Sequence, residues 1–186
     1  MRPGPPVVDA ELLRQVAGRF ATGVTVVTTV AGGADHALTV TAFTSVSLDP
    51  PLVMVSVAKA APFHGAVLRG GRWAVSVLSE DMRAIAERFA APDTAAPDTA
   101  APDTAAPDAS APEVGRPEVD GPGQGRGAVT GAVIFTGGVA ALECRTHAVH
   151  DCGDHSLVVG EVLALDAPDV QGGPLIVYRD GYRTFG

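Results

Sequence analysis

The sequence predicts a mainly β fold, an antiparallel β-barrel with a few helices at its periphery. Three observations carry this reading. Short runs dense in valine and threonine recur along the chain, as in Val24-Thr-Val-Val-Thr-Thr-Val30, and β-branched residues fit a pleated, half-buried surface. Glycine, proline or aspartate clusters punctuate them, as in Ala31-Gly-Gly-Ala-Asp35, which is turn chemistry. Six or seven such runs stand against only two or three short stretches of helical periodicity, the balance of a barrel with helical covers.

The elements follow in order. Residues 1–8 are proline-rich and are expected to be a flexible N-terminus. Asp9 is a plausible N-cap for a helix over about 10–20, where Leu12, Leu13, Val16 and Phe20 recur at helical spacing. Gly23 ends it, residues 24–30 read as a strand, and Ala37 to Ala42 as its return. Leu52-Val-Met-Val-Ser-Val57 is an almost continuous apolar run, the mark of a strand covered on both faces. A short helix is expected over Pro62 to Arg69 and a strand over Trp73 to Leu78. Ser79 can cap the next helix, with Met82, Ile85, Ala86 and Phe89 on one face. Order resumes near Val129. Residues 139–147 and 157–165 read as two strands paired across a turn at Asp151 to Asp154. A last strand covers Pro174 to Tyr178, followed by the turn Arg179-Asp-Gly-Tyr182.

Between these halves the composition changes. Ala-Pro-Asp-Thr-Ala occurs three times without error from Ala91 and then decays into a glycine-rich tail. A proline every fifth residue prevents a lasting helix or central strand. Residues 91–127 hold seven acids and two arginines, and so five of the eight net negative charges. They read as a disordered insertion in a single domain spanning 9–186. The net charge of −8 argues against a nucleic-acid surface and against an anionic membrane. No signal-like run opens the chain and no stretch has the roughly 20 apolar residues of a membrane span. A cytoplasmic protein is expected, with Cys144 and Cys152 as reduced, partly buried thiols.

The chemistry-bearing residues are few. There is no nucleophile elbow, no Walker loop and no Gly-x-Gly-x-x-Gly opening a helix after a strand. His147 and His150 lie near both cysteines in sequence, but alternation along a strand makes their side chains diverge, so no metal is expected. The most informative stretch is Thr39-Val-Thr-Ala-Phe-Thr-Ser-Val-Ser-Leu-Asp-Pro-Pro51. Its small side chains let a flat ligand approach the backbone, and its hydroxyls suit a phosphate. The same alternation is also that of a half-buried antiparallel strand. Gly153-Asp154-His155 offers an imidazole held at a strand edge, or simply a capped turn opening a strand.

Taken with Arg19-Phe-Ala-Thr-Gly-Val-Thr-Val-Val-Thr-Thr29 and Gly153-Asp-His-Ser-Leu-Val-Val-Gly-Glu-Val162, this stretch resembles the short-chain flavin reductases, the reductase halves of two-component flavin-dependent monooxygenases. The resemblance covers most of residues 10–90 and 128–184. It implies a split β-barrel of the FMN-binding-protein kind, with the repeat insertion at a variable loop. It also implies FAD or FMN as the flavin, FAD being slightly favoured, and NADH as the hydride donor. Thr39, Val40, Thr41, Ala42 and Phe43 would then line the flavin ring, Ser45 and Ser47 its phosphate, and Thr28 and Thr29 the closed side of the pocket. Ala58 and Lys59 match a phosphate contact, and Arg88 and Phe89 an element near the flavin or its adenine. Gly153, Asp154 and His155 match the nicotinamide side, as does Tyr182. On the residues alone, Lys59 also reads as a solvated lysine, Arg88 and Phe89 as a last helix turn, and Tyr182 as a core tyrosine. Similar proteins often have Ser or Thr just after the lysine; here Ala60-Ala61-Pro62 removes those hydroxyls, which suits a loosely held flavin.

No catalytic acid, base or nucleophile is required, because the cofactors carry the chemistry and the protein supplies placement. The resemblance thus implies a homodimeric NAD(P)H:flavin oxidoreductase that passes reduced flavin to a separate monooxygenase acting on an aromatic or secondary-metabolite substrate. Two other functions fit the same fold: a flavin carrier or sensor without NADH turnover, and an oxidase that keeps its flavin.

Overall fold

The structure is a computed structural model that describes residues 8–90, 123–169 and 172–185. Residues 1–7, the repeats from Ala91, and the expected flexibility of both lie outside the described residues. The helices are α1 (Ala10–Ala17), α2 (Pro62–Gly70) and α3 (Arg83–Arg88), the last preceded by a 3-10 turn at Glu80–Met82. The strands are β1 (Thr22–Gly23), β2 (Thr25–Ala31), β3 (Ala34–Val40), β4 (Phe43–Leu48), β5 (Pro51–Ala58), β6 (Arg72–Val77), β7 (Gln124–Arg126), β8 (Val133–Phe135), β9 (Ala140–Cys152), β10 (His155–Asp166), β11 (Ile176–Tyr178) and β12 (Gly181–Arg183).

Seven strands form one antiparallel sheet in the order β3-β2-β6-β9-β10-β5-β4. Its two edges, β3 and β4, are consecutive in sequence and joined by Thr41-Ala42, yet no ladder joins them. The sheet therefore curls without closing. Local chemistry sets its tight turns: Gly32 and Gly33, at φ 61° and 76°, supply the two left-handed residues of the β2–β3 hairpin.

Two apolar clusters cover opposite faces of the central strands. The first gathers Val27, Val55, Val57, Trp73, Val75 and Val158 under Phe63 and Val67 of α2. The second gathers Val24, Val26, Leu78, Phe89, Phe135 and Leu175 under α3. Both faces of β2 are thus covered, so its polar residues are as buried as its valines. The Trp73 indole N–H donates to Thr146 Oγ1 at 3.2 Å. Gly160 lies against that indole, at a register shift between Val159 and Gly160, where an added Cβ would overlap the ring.

Several expectations are corrected. The insertion read as disordered to Gly127 gives way to order at Gly123, because β7 pairs with β8 and Arg126 is held by both carboxylate oxygens of Asp35 at 2.5 and 2.7 Å. Composition could not show a partner 91 residues away. Ser79 does not cap the 3-10 turn; it is buried and bridges to Pro174. The final turn is only Arg179-Asp180, both at positive φ, and Gly181–Arg183 forms β12. Helix α1 has its expected cap, with Asp9 Oδ1 accepting from the Leu12 N–H at 2.8 Å, yet buries none of its residues. Cys144 is buried, and burial together with the Glu143 charge pushes its thiol up to about 12; Cys152 is exposed rather than partly buried.

Candidate functional site

The open seam between β3 and β4 is where the two edges of the sheet meet without a ladder. Thr41 and Ala42 cross it with short, exposed side chains. Both flanks of the crossing are pinned. The Thr39 N–H donates to Phe89 O at 2.9 Å and its hydroxyl to Ala86 O at 2.7 Å, while Ala42 O accepts from the Ser56 N–H at 3.1 Å. Phe43 turns inward against the first cluster. The result is a fixed strip of small residues, bordered on one side by the end of α3 and on the other by the end of β5.

The β9–β10 hairpin reaches the same end of the sheet. Register puts His155 opposite Ala58 on β5 and opposite Cys152 on β9. A two-residue connection, Gly153-Asp154, turns the chain, and Gly153 takes the φ of 64° that glycine adopts without strain. His155 Nδ1 lies 2.7 Å from Asp154 Oδ1. That hydrogen bond, with the imidazole's charge, holds the Asp154 carboxyl below its usual range. It also orients the ring through Nδ1. Lys59 follows β5 directly. Its N–H donates to Asp154 O at 2.9 Å, and its Nζ meets both oxygens of Asp151 at 2.8 Å. Behind the tip, His64 of α2 is hydrogen-bonded to the buried Ser156 hydroxyl at 2.9 Å. Burial and the nearby Lys59 charge keep the His64 imidazole below its ordinary value of 6.5.

Not every expected residue joins this constellation. Thr28 and Thr29 do not line the opening: both are buried, and their hydroxyls donate to Val133 O and Arg72 O at 2.5 and 2.7 Å. Val40 is buried in the first cluster. Phe89 is buried against Phe135, with ring centroids 5.3 Å apart, and Arg88 stacks on Phe89. Tyr182 packs with the second cluster beneath Arg83. Ser45 and Ser47 are on β4 opposite Val53 and Leu52, six and seven residues from Lys59. At about 3.3 Å per residue that separation is roughly 20 Å, so one phosphate cannot bridge the serines and the lysine. Sequence reasoning missed Asp151, His64 and Ser156. A usable signal existed: Lys59 is the only lysine in a chain whose other twelve Lys+Arg positions are arginine.

Residues 17–186 match the family model described as the flavin reductase like domain. The chain belongs to the flavin reductase-like family. Its fold is the split barrel of that family, open at the β3–β4 seam. The reductase component of 4-hydroxyphenylacetate 3-monooxygenase from Thermus thermophilus is 34% identical over 173 residues, 93% of this chain and 95% of that protein. The solved structure of BorF, the flavin reductase component of a bacterial two-component tryptophan halogenase, superposes with a TM-score of 0.77. It is 36% identical, with 95% of this chain and 98% of BorF covered. The NADH:FAD oxidoreductase SgcE6 of Streptomyces globisporus C-1027 has a TM-score of 0.75 at 33% identity, covering 99% of each chain.

The donors of this flavin reductase-like chain fit a flavin. The strip at Thr41-Ala42 presents short, exposed side chains to a flat ring, the chain's one lysine stands at the nearby end of β5, and an imidazole is oriented at the hairpin tip. No group of His, Cys, Asp and Glu among the described residues is arranged to hold a metal ion.

Proposed function

We propose that this chain is an NADH-dependent flavin reductase. It would deliver reduced FAD or FMN to a separate flavin-dependent monooxygenase acting on an aromatic or secondary-metabolite substrate. One observation carries the reading: the small-residue seam and the oriented His155 converge at one end of the sheet. Bound flavin supplies the hydride acceptor. The chain's own part is placement. Backbone at Thr41-Ala42 reads the ring edge, Lys59 takes the phosphate, and His155, steadied by Asp154, holds the nicotinamide against the ring. The relatives named as reductase components of a hydroxyphenylacetate monooxygenase and a tryptophan halogenase support a separate partner enzyme and an aromatic setting.

A homodimer belongs to this proposal. Leu12, Leu13 and Val16 of α1, with Phe20 just beyond it, are exposed together on one side of the fold. Apolar patches of several hundred Å² mark contact surfaces, and a second copy is the partner always present. No helix among the described residues is long and apolar enough to cross a membrane.

One experiment tests the function. The purified protein should be colourless and should oxidise NADH only when free flavin is added. Flavin binding without NADH oxidation would make it a carrier or sensor, and a tightly retained yellow chromophore would make it an oxidase or monooxygenase.

A further inference from the structure

Lys59 is not waiting for an anion; it already has one. Its Nζ contacts Asp151 Oδ1 and Oδ2 at 2.8 Å each. The other carboxylate at the hairpin tip, Asp154, is engaged by His155 at 2.7 Å. Asp151 is therefore the one tip carboxylate whose partner is the lysine, and its side chain is 79% exposed against 37% for Lys59. An exposed carboxylate can swing into water at little cost, whereas Lys59 is anchored by its backbone bond to Asp154 O.

We infer that Asp151 is a built-in competitor for the flavin phosphate: its carboxylate holds the Lys59 ammonium in the flavin-free protein and must yield it when the phosphate arrives. This rests on the reading above that Lys59 takes the phosphate. A compact ammonium cannot hold a carboxylate and a phosphate dianion at full strength, because the two anions repel at contact distance. Each binding event therefore gives up one ion pair before it gains another. The flavin is held more weakly than the same pocket would otherwise hold it, and it exchanges. A reductase that passes its product to another protein needs that property. The pair is solvent-exposed, so the effect is a matter of a few-fold.

The test compares FMN with riboflavin, which has the same ring and no phosphate. Both are titrated by flavin fluorescence into wild type, Asp151→Asn, Lys59→Met and the double variant. Asp151→Asn should tighten FMN about 2- to 10-fold and leave riboflavin unchanged, and the gain should vanish in the double variant. If Lys59→Met weakens FMN selectively while Asp151→Asn binds FMN as wild type does, the inference about Asp151 is overturned and the site reading stands. If Lys59→Met keeps the wild-type ratio of FMN to riboflavin affinity, the phosphate is not on Lys59 and both fall. A second measurement needs no variant. Lys59 is the only lysine, so its acylation by an amine-reactive reagent can be followed by peptide mass spectrometry. FMN should slow it, and an unchanged rate would overturn the placement of the phosphate.

Discussion

His155 and Ala58 face each other across the ladder between β10 and β5, so the imidazole stands beside a methyl group one residue short of Lys59. Hydride transfer needs the nicotinamide within about 3–3.5 Å of the flavin ring, and the proposed role of His155 is to hold it there. Replacing it with alanine should lower kcat/KM for NADH by about 10- to 100-fold, or roughly 1.4–2.7 kcal/mol of transition-state binding. Flavin affinity should stay near wild type. Steady-state kinetics at saturating flavin, with a parallel flavin titration, decide it: equal losses in both would make His155 a structural residue.

The serines of β4 lead to a different expectation. Ser45 and Ser47 lie about 20 Å along the sheet from Lys59. With the phosphate at the lysine, Ser45→Ala and Ser47→Ala should each change FMN affinity by no more than about twofold, since no hydrogen bond to it is lost. Fluorescence titration measures this directly. A loss of tenfold or more in either variant would move the phosphate to β4.

Gly160 makes a stability prediction. A methyl group there would overlap the Trp73 ring and crowd Cys144. Gly160→Ala should cost about 1–3 kcal/mol through overpacking. Trp73 is the only tryptophan, so its fluorescence during urea denaturation reports on that site. An unchanged midpoint would show that the strand absorbs the methyl group without strain.

Glu143 links the β7–β8 segment to the sheet. Burial alone would raise its carboxyl, but the Thr130 hydroxyl and the N–H groups of Thr130, Val129 and Ala128 together hold it below its ordinary value of 4.5. The Val129 and Thr130 N–H groups donate at 2.9 and 2.7 Å, and the hydroxyl at 2.7 Å. The folded state favours the charged form. Its contribution is therefore complete above pH 4.5 and is lost as pH falls through the depressed folded value. Glu143→Gln should destabilise the protein at neutral pH by about 1–3 kcal/mol and flatten the acid limb of a stability–pH curve. A variant with the wild-type acid limb would show that other carboxylates govern acid unfolding.

What the sequence by itself determined was local. Valine and threonine density marked β2, the apolar run marked β5, Asp9 marked the start of α1, and Gly153-Asp154 marked a hairpin turn. Each is a property of neighbouring residues: a propensity, a period, a cap or a backbone conformation that glycine permits. The three family-like blocks likewise contain the seam and the hairpin tip. Only the tertiary structure decided which residues with the right chemistry are exposed. Thr28 and Thr29 look like Thr41 in sequence, yet β2 is covered on both faces and the β3–β4 crossing on neither. Only the tertiary structure separated Ser45 from Lys59, because register along β5 turns a short sequence interval into a span of the whole strand. It also paired Lys59 with Asp151 and His64 with Ser156, each 92 residues apart. Contacts at that range depend on how the sheet curls and on strand order, and those follow from burying both apolar clusters together rather than from the residues on either side of the contact.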